Sequence, residues 1–205
     1  MSAVLGPVLF APSVPVLPTE PIWRMSVERY HEMIEAGILT EDDPVELLEG
    51  WLVEKMPKNM PHRKAIRRLR LILERLAPVG WFVDAQEPIT TTDSEPEPDL
   101  AVIRGDSEDY SNHPGPQDLA LVVEVSDSTL QRDRITKQRI YARAGVSVYW
   151  IVNLIDGQVE VYTDPSGPDE KPSYRQRQDY GPADQVPFLI DGREIGRIAV
   201  REVLP

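Results

Sequence analysis

Leu119-Ala120-Leu121-Val122-Val123-Glu124-Val125-Ser126 is the stretch whose reading decides the fold. It is an apolar, largely β-branched run until its last residue, broken by one carboxylate, and it predicts a strand covered on both faces. An unpaired buried charge is costly, so Glu124 calls for a hydrogen-bond donor, an ion partner or a metal ion. Strand side chains alternate, which puts Glu124 and Ser126 on one face and Val123 and Val125 on the other. Upstream, Pro98-Asp99 opens the apolar run Leu100-Ala101-Val102-Ile103. Two strands therefore each carry an acid at one end.

Downstream of the central strand, the loop Asp127-Ser128-Thr129 leads into a helix expected to run from Ser128 or Thr129 to Ala144, with Gly145 at its C-terminal end. Asp133, Lys137 and Tyr141 recur at i, i+4 and i+8 and share a helix face. Lys137 can then lie near Glu124, or it can form an ordinary helical ion pair with Asp133. Strands are expected over Ser147–Asn153 and Val159–Thr163, joined through the hairpin signal Asp156-Gly157. The tail beyond Asp164 carries one or two edge strands, near Tyr174 and Phe188.

Upstream, Pro61-His62 opens an amphipathic helix with Ile66, Leu69, Leu73 and Leu76 on one stripe, stopped by Pro78 and Gly80. His62 reads as a helix-terminus or packing residue. Trp81–Ala85 and Pro98–Ile103 are strands, and the polar loop Thr90–Glu97 between them carries Asp93, Glu95 and Glu97, expected to be solvated. Val45–Val53 reads as two short strands around a turn at Glu49-Gly50. Glu46 is either an exposed strand acid or a residue that reaches the site of Asp99 and Glu124. Ser26 caps a short helix with Val27, Tyr30, Met33 and Ile34 at helical spacing, ended by Gly37. Prolines 7, 12, 15, 18 and 21 predict an extended, polyproline-like segment before it.

The 205 residues, 41% of them hydrophobic, suffice for one domain with a sizeable core. With no cysteine, disulfides and thiolate metal sites are excluded. No apolar run approaches the roughly 18 residues of a membrane span, and no secretory signal opens the chain, so a soluble cytoplasmic protein is expected. A net charge of -12 counts against a simple coat for nucleic acid. Two basic groups stand out, Arg63, Lys64, Arg67, Arg68 and Arg70, then Arg132, Arg134, Lys137, Arg139 and Arg143. Each reads as a solvated helix face unless the fold turns it into a groove.

In order, Pro98-Asp99, Glu124-Val125-Ser126, Asp133 with Lys137 and Tyr141, Gly145-Val146 and Tyr149-Trp150-Ile151-Val152 resemble the Uma-type restriction-endonuclease family, a branch of the PD-(D/E)XK nuclease superfamily. Glu46-Leu47-Leu48-Glu49-Gly50 and the helix opening with His62 are also similar to it. The resemblance covers about residues 23–165, leaving a Pro-rich tail over 1–22 and a C-terminal extension over 166–205 that packs on the same domain.

The resemblance implies an α/β (α+β) fold, a restriction-endonuclease-like mixed β-sheet flanked by α-helices, with a metal-dependent site that hydrolyses DNA phosphodiester bonds. Mg²⁺ or Mn²⁺ prefers oxygen ligands and keeps several waters, so Asp99, Glu124 and the Val125 carbonyl would hold one ion. The ion would polarise the phosphate and activate the attacking water. The superfamily pattern places a lysine two residues after the strand glutamate, where this chain has Ser126. Lys137, supplied from the following helix, is the implied replacement; it would orient the water or stabilise transition-state charge. Tyr141 would pack or hydrogen-bond beside it. Asp99, Glu124 and Lys137 are thus the candidate catalytic residues. The alternative is a nuclease-like scaffold that no longer cuts and serves as a binding module. Cutting both strands of a duplex would be easiest for a two-fold homodimer.

Overall fold

A computed structural model describes residues 21–40 and 42–205. The expected polyproline-like segment lies almost wholly outside them. Ser26 Oγ accepts the Arg29 N–H and starts helix α1 (Val27–Glu35), which ends before Gly37 at φ +67°. Strands β1 (Val45–Leu48) and β2 (Trp51–Glu54) form the expected hairpin, with Glu49 and Gly50 both at positive φ, as a tight two-residue turn requires. Helix α2 (Met60–Leu76) begins where Asn59 Oδ1 accepts the His62 N–H, with Pro61 in its first turn. Its buried stripe is Ala65, Ile66, Leu69 and Leu73.

A six-stranded mixed sheet follows, built from β3 (Trp81–Asp84), β4 (Leu100–Arg104), β5 (Leu119–Ser126), β6 (Val148–Asn153), β7 (Gln158–Pro165) and β8 (Tyr174–Tyr180), in that spatial order. All neighbours are antiparallel except β5 and β6. A parallel pair needs a crossover, here α3 (Leu130–Arg132), a wide π turn over Asp133–Lys137, and α4 (Gln138–Ala144). Gly145 closes it in the left-handed conformation.

Every residue of β5 is buried, and its alternation divides the core. Leu121, Val123 and Val125 pack with the α2 stripe, whereas Val122 packs with Ile140, Tyr141 and Tyr149 on the opposite face. Glu124 shares the Val122 face, beneath the crossover. The α2 side is completed by a hairpin of β9 (Gln185–Ile190) and β10 (Arg193–Ala199) and by a short helix α5 (Val200–Val203). The strand expected near Tyr174 is the edge strand β8. That near Phe188 instead belongs to the β9–β10 hairpin, whose Val186, Phe188 and Ile190 cover the sheet and α2. No described helix is long and apolar enough to cross a membrane.

The loop before β4 departs from expectation. Glu95 is buried rather than solvated, because the loop lies along β1: Glu95 N donates to Leu47 O at 2.7 Å, and Glu49 N donates to Ser94 Oγ at 2.8 Å. His31 of α1 lies 2.6 Å from the Glu95 carboxylate, supplying the partner that burial demands.

Candidate active site

Asp99 and Glu124 come together because β4 and β5 are antiparallel. Leu100 pairs with Val123, so the next position outward sets Asp99 beside Glu124. The ladder ends there, and the Val125 N–H donates instead to Asp99 Oδ2 at 2.8 Å. Ser126 O accepts from Leu154 N on the β6 side, so by strand alternation the Val125 carbonyl faces the Asp99 edge. The expected donor set of Asp99, Glu124 and the Val125 carbonyl therefore occupies one end of the sheet.

Lys137 reaches the same place from the crossover. Its Nζ lies 3.1 Å from Glu124 Oε1 and 2.7 Å from Glu46 Oε2, with all three side chains buried. Glu46 is thus a member of the site and not an exposed strand acid. Sequence spacing left both readings open, since only the docking of the β1–β2 hairpin on the sheet brings it to Lys137. Glu97 N also donates to Glu46 Oε2, at 3.2 Å.

The ordinary Asp133–Lys137 pair does not form. Asp133 Oδ2 accepts from Ser126 Oγ at 2.7 Å and Thr129 Oγ1 at 2.6 Å, which leaves Lys137 to the glutamates. The helix is also one residue wide of α geometry here, because Gln138 N donates back to Asp133 O, which also accepts from Tyr149 OH at 3.2 Å. Ser126, standing where a strand lysine is expected, ties the helix to the strand. Tyr141 OH donates to Glu124 Oε1 at 2.7 Å and so acts on the acid more than on the lysine.

Two residues not expected here complete the site. His62 Nε2 lies 3.1 Å from Asp99 Oδ2, and Lys58 Nζ lies 3.2 Å from Asp99 Oδ1. His62 comes from the first turn of α2, and the sequence signals for it were its place at a helix start and the resemblance of that helix opening to the family. Its Nδ1 is buried without a partner.

The electrostatics separate the two acids. Burial pushes the Glu124 carboxyl up to about 8, with Lys137 pulling against it and Asp133, Asp99 and Glu46 adding to the rise. At Asp99 burial also pushes upward, but His62, Lys58 and the Val125 N–H outweigh it and hold the carboxyl below its usual range. Burial works against the Lys137 charge, yet Glu124 and Glu46 more than offset it, and the ammonium is held well above its ordinary value.

As the side chains stand, no group of three or more metal-ligating side chains among the described residues is arranged around an ion position. The donor chemistry nevertheless suits a hard divalent cation, since two carboxylates and a carbonyl leave the other positions to water. The second basic group is mostly paired rather than solvated: Arg134 meets Glu160, and Arg139 and Arg143 meet Glu49. Arg63, Lys64, Arg67, Arg68 and Arg70 are exposed, as a solvated face requires.

A sequence model of the Uma2 family, described as "Putative restriction endonuclease", matches residues 27–190. No curated protein sequence matches the chain. Among solved structures, a "putative nuclease" from Anabaena variabilis superposes with a TM-score of 0.62 at 15% identity, covering 82% of this chain and 94% of its own. At that identity the likeness speaks for the fold alone.

Proposed function

Since the chain belongs to the Uma2 family, described as "Putative restriction endonuclease", we propose that it is a divalent-metal-dependent endonuclease that hydrolyses DNA phosphodiester bonds at Asp99, Glu124 and Lys137. The observation that carries this reading is the convergence of those three side chains, from two strands and a helix, at one end of the sheet. An Mg²⁺ or Mn²⁺ ion held by Asp99, Glu124 and the Val125 carbonyl would supply Lewis acidity and offset phosphate charge. The chain's own residues do the positioning. The Val125 N–H and His62 orient Asp99, and Tyr141 orients Glu124. Glu46 keeps Lys137 protonated and aimed beside Glu124, where its ammonium can orient water or neutralise charge that develops on phosphate oxygens.

One observation favours the second reading, a binding module that does not cut. Each acid already has a basic partner, Lys58 and the His62 imidazole at Asp99 and Lys137 at Glu124. A network that is satisfied in this way can refuse an ion.

Cleavage of supercoiled plasmid with Mg²⁺ or Mn²⁺ separates the readings, comparing wild type with Asp99→Ala, Glu124→Ala and Lys137→Ala. Metal-dependent nicking lost in all three supports the nuclease and the lysine's relocation to the helix. Identical traces from all four proteins favour the binding module. Nicking that survives Lys137→Ala but not the acid variants keeps the nuclease and removes the lysine from the chemistry.

A further inference from the structure

Five basic side chains line the cleft over Asp99 and Glu124: Lys55, Lys58, His62, Arg132 and Lys137. Four have a carboxylate oxygen within 3.2 Å: Lys55 at Glu97 (2.9 Å), Lys58 and His62 at Asp99 (3.2 and 3.1 Å), Lys137 at Glu46 (2.7 Å). Arg132 does not. Its nearest carboxylate oxygens are Glu46 Oε1 and Asp133 Oδ1, both at 3.9 Å, beyond hydrogen-bonding distance. Nη1 donates to the Glu54 carbonyl at 3.2 Å, and Nε is buried with no partner.

That state is costly for an arginine. A guanidinium carries five N–H donors in a planar fork, and a buried donor left unmade loses its hydration without return. The two acids at 3.9 Å steady the charge without using its N–H groups. A fork held in this way, at the mouth of an acidic cleft, suits an anion with two oxygens to offer. A phosphodiester has that geometry, and arginine binds it in bidentate fashion.

Resting on the nuclease reading, we propose that Arg132 is a substrate-binding residue that grips a backbone phosphate of the polynucleotide entering this cleft. Its place on the chain fits the task. Arg132 sits in the first turn of the crossover, six residues beyond the end of β5 and five before Lys137. The strand and helix that position Glu124 and Lys137 therefore position the grip as well. The Glu54 tie fixes one edge of the guanidinium against the β1–β2 hairpin, and a quarter of the side chain stays exposed to the cleft, where a phosphate can reach it.

The test is binding of a duplex DNA oligonucleotide across a salt series, without divalent metal so that nothing is cut, using the full chain. A lost phosphate contact lowers the slope of log K against log salt by about one, an effect that a purely structural role would not produce. Arg132→Gln should show that drop and bind about tenfold more weakly at low salt. Arg132→Lys should keep the slope. As a second readout that needs no folded variant, the wild-type Arg132 Nε–H resonance should shift and gain exchange protection when duplex is added. An unchanged slope in Arg132→Gln, or a resonance indifferent to duplex, overturns the assignment even if wild type binds and cuts. If wild type neither binds duplex nor nicks plasmid, the nuclease reading itself fails and Arg132 loses its ligand with it.

Discussion

Lys137 donates to Glu46 at 2.7 Å across 91 residues of sequence, joining the crossover helix to the β1–β2 hairpin inside the core. The bond makes the hairpin part of the acidic site. Without Lys137, Glu46 would be left buried without the ammonium that it meets at 2.7 Å. Lys137→Met is therefore expected to destabilise the fold by about 3–5 kcal/mol at neutral pH. Glu46→Gln keeps the Glu124 partner and should cost less, about 1–2 kcal/mol. Urea unfolding of both single variants and the double variant checks this, and additive effects would mean that the pair is not coupled.

His62 orients Asp99 without being one of the expected oxygen donors. Replacing such a supporting residue beside a metal-ligand carboxylate typically costs about ten- to a hundredfold in activity or metal affinity. His62→Ala should show a loss of that size in Mn²⁺ affinity by titration calorimetry, with the melting temperature little changed. Full metal affinity in the variant would reduce His62 to packing.

Gly50 has both reasons to be glycine. Its φ is +80°, and an added Cβ would lie 2.6 Å from Arg24 Cβ and 2.9 Å from the Met25 carbonyl. The chain before α1 lies against the turn, with Met25 N donating to Gly50 O at 3.0 Å, so there is little room to retreat. Gly50→Ala should destabilise by about 2 kcal/mol or more, and plasmid nicking should fall because Glu46 rides on the same hairpin. Chemical denaturation and the nicking assay read the two effects separately.

Glu160 on β7 provides a pH dependence away from the site. Burial pushes its carboxyl up, but Arg134, Asn153, Tyr162 and Arg177 outweigh it and bring it down from 4.5 to about 2. A carboxyl depressed in the folded state stabilises above its unfolded value, and that contribution is lost as pH falls through the folded one. Wild type should thus lose stability between about pH 4.5 and pH 2 through this residue. Glu160→Gln should be less stable than wild type at pH 7, with the gap closing across that window. Parallel stability curves would show that Glu160 does not carry the acid transition.

Local patterns carried much of the fold. The unbroken apolar run of β5 predicted a strand covered on both faces, the α2 stripe predicted a one-sided helix, and Glu49-Gly50 predicted its turn, because each depends on residues a few positions apart. The crossover was legible as a helix but not as one with a wide turn. Within that turn the Asp133 carbonyl accepts from Tyr149, a residue of the next strand, a contact that no local pattern encodes. The expected solvation of Glu95 failed for a similar reason, since its burial comes from a loop pairing with β1 and from His31 of α1.

By itself the sequence determined that two strands would each carry an acid at one end and that Asp133, Lys137 and Tyr141 would share a helix face, since alternation and helical period are properties of the backbone. That these acids and the lysine would meet in one site was what the family resemblance implied. Which carboxylates share the lysine, which cation sits on Asp99, and why Arg132 keeps an unmet donor were decided only by tertiary structure. Those pairings join segments tens of residues apart. In a buried site the energy of a charge is set by desolvation and by the charged groups that tertiary packing brings around it, a placement that no sequence pattern encodes.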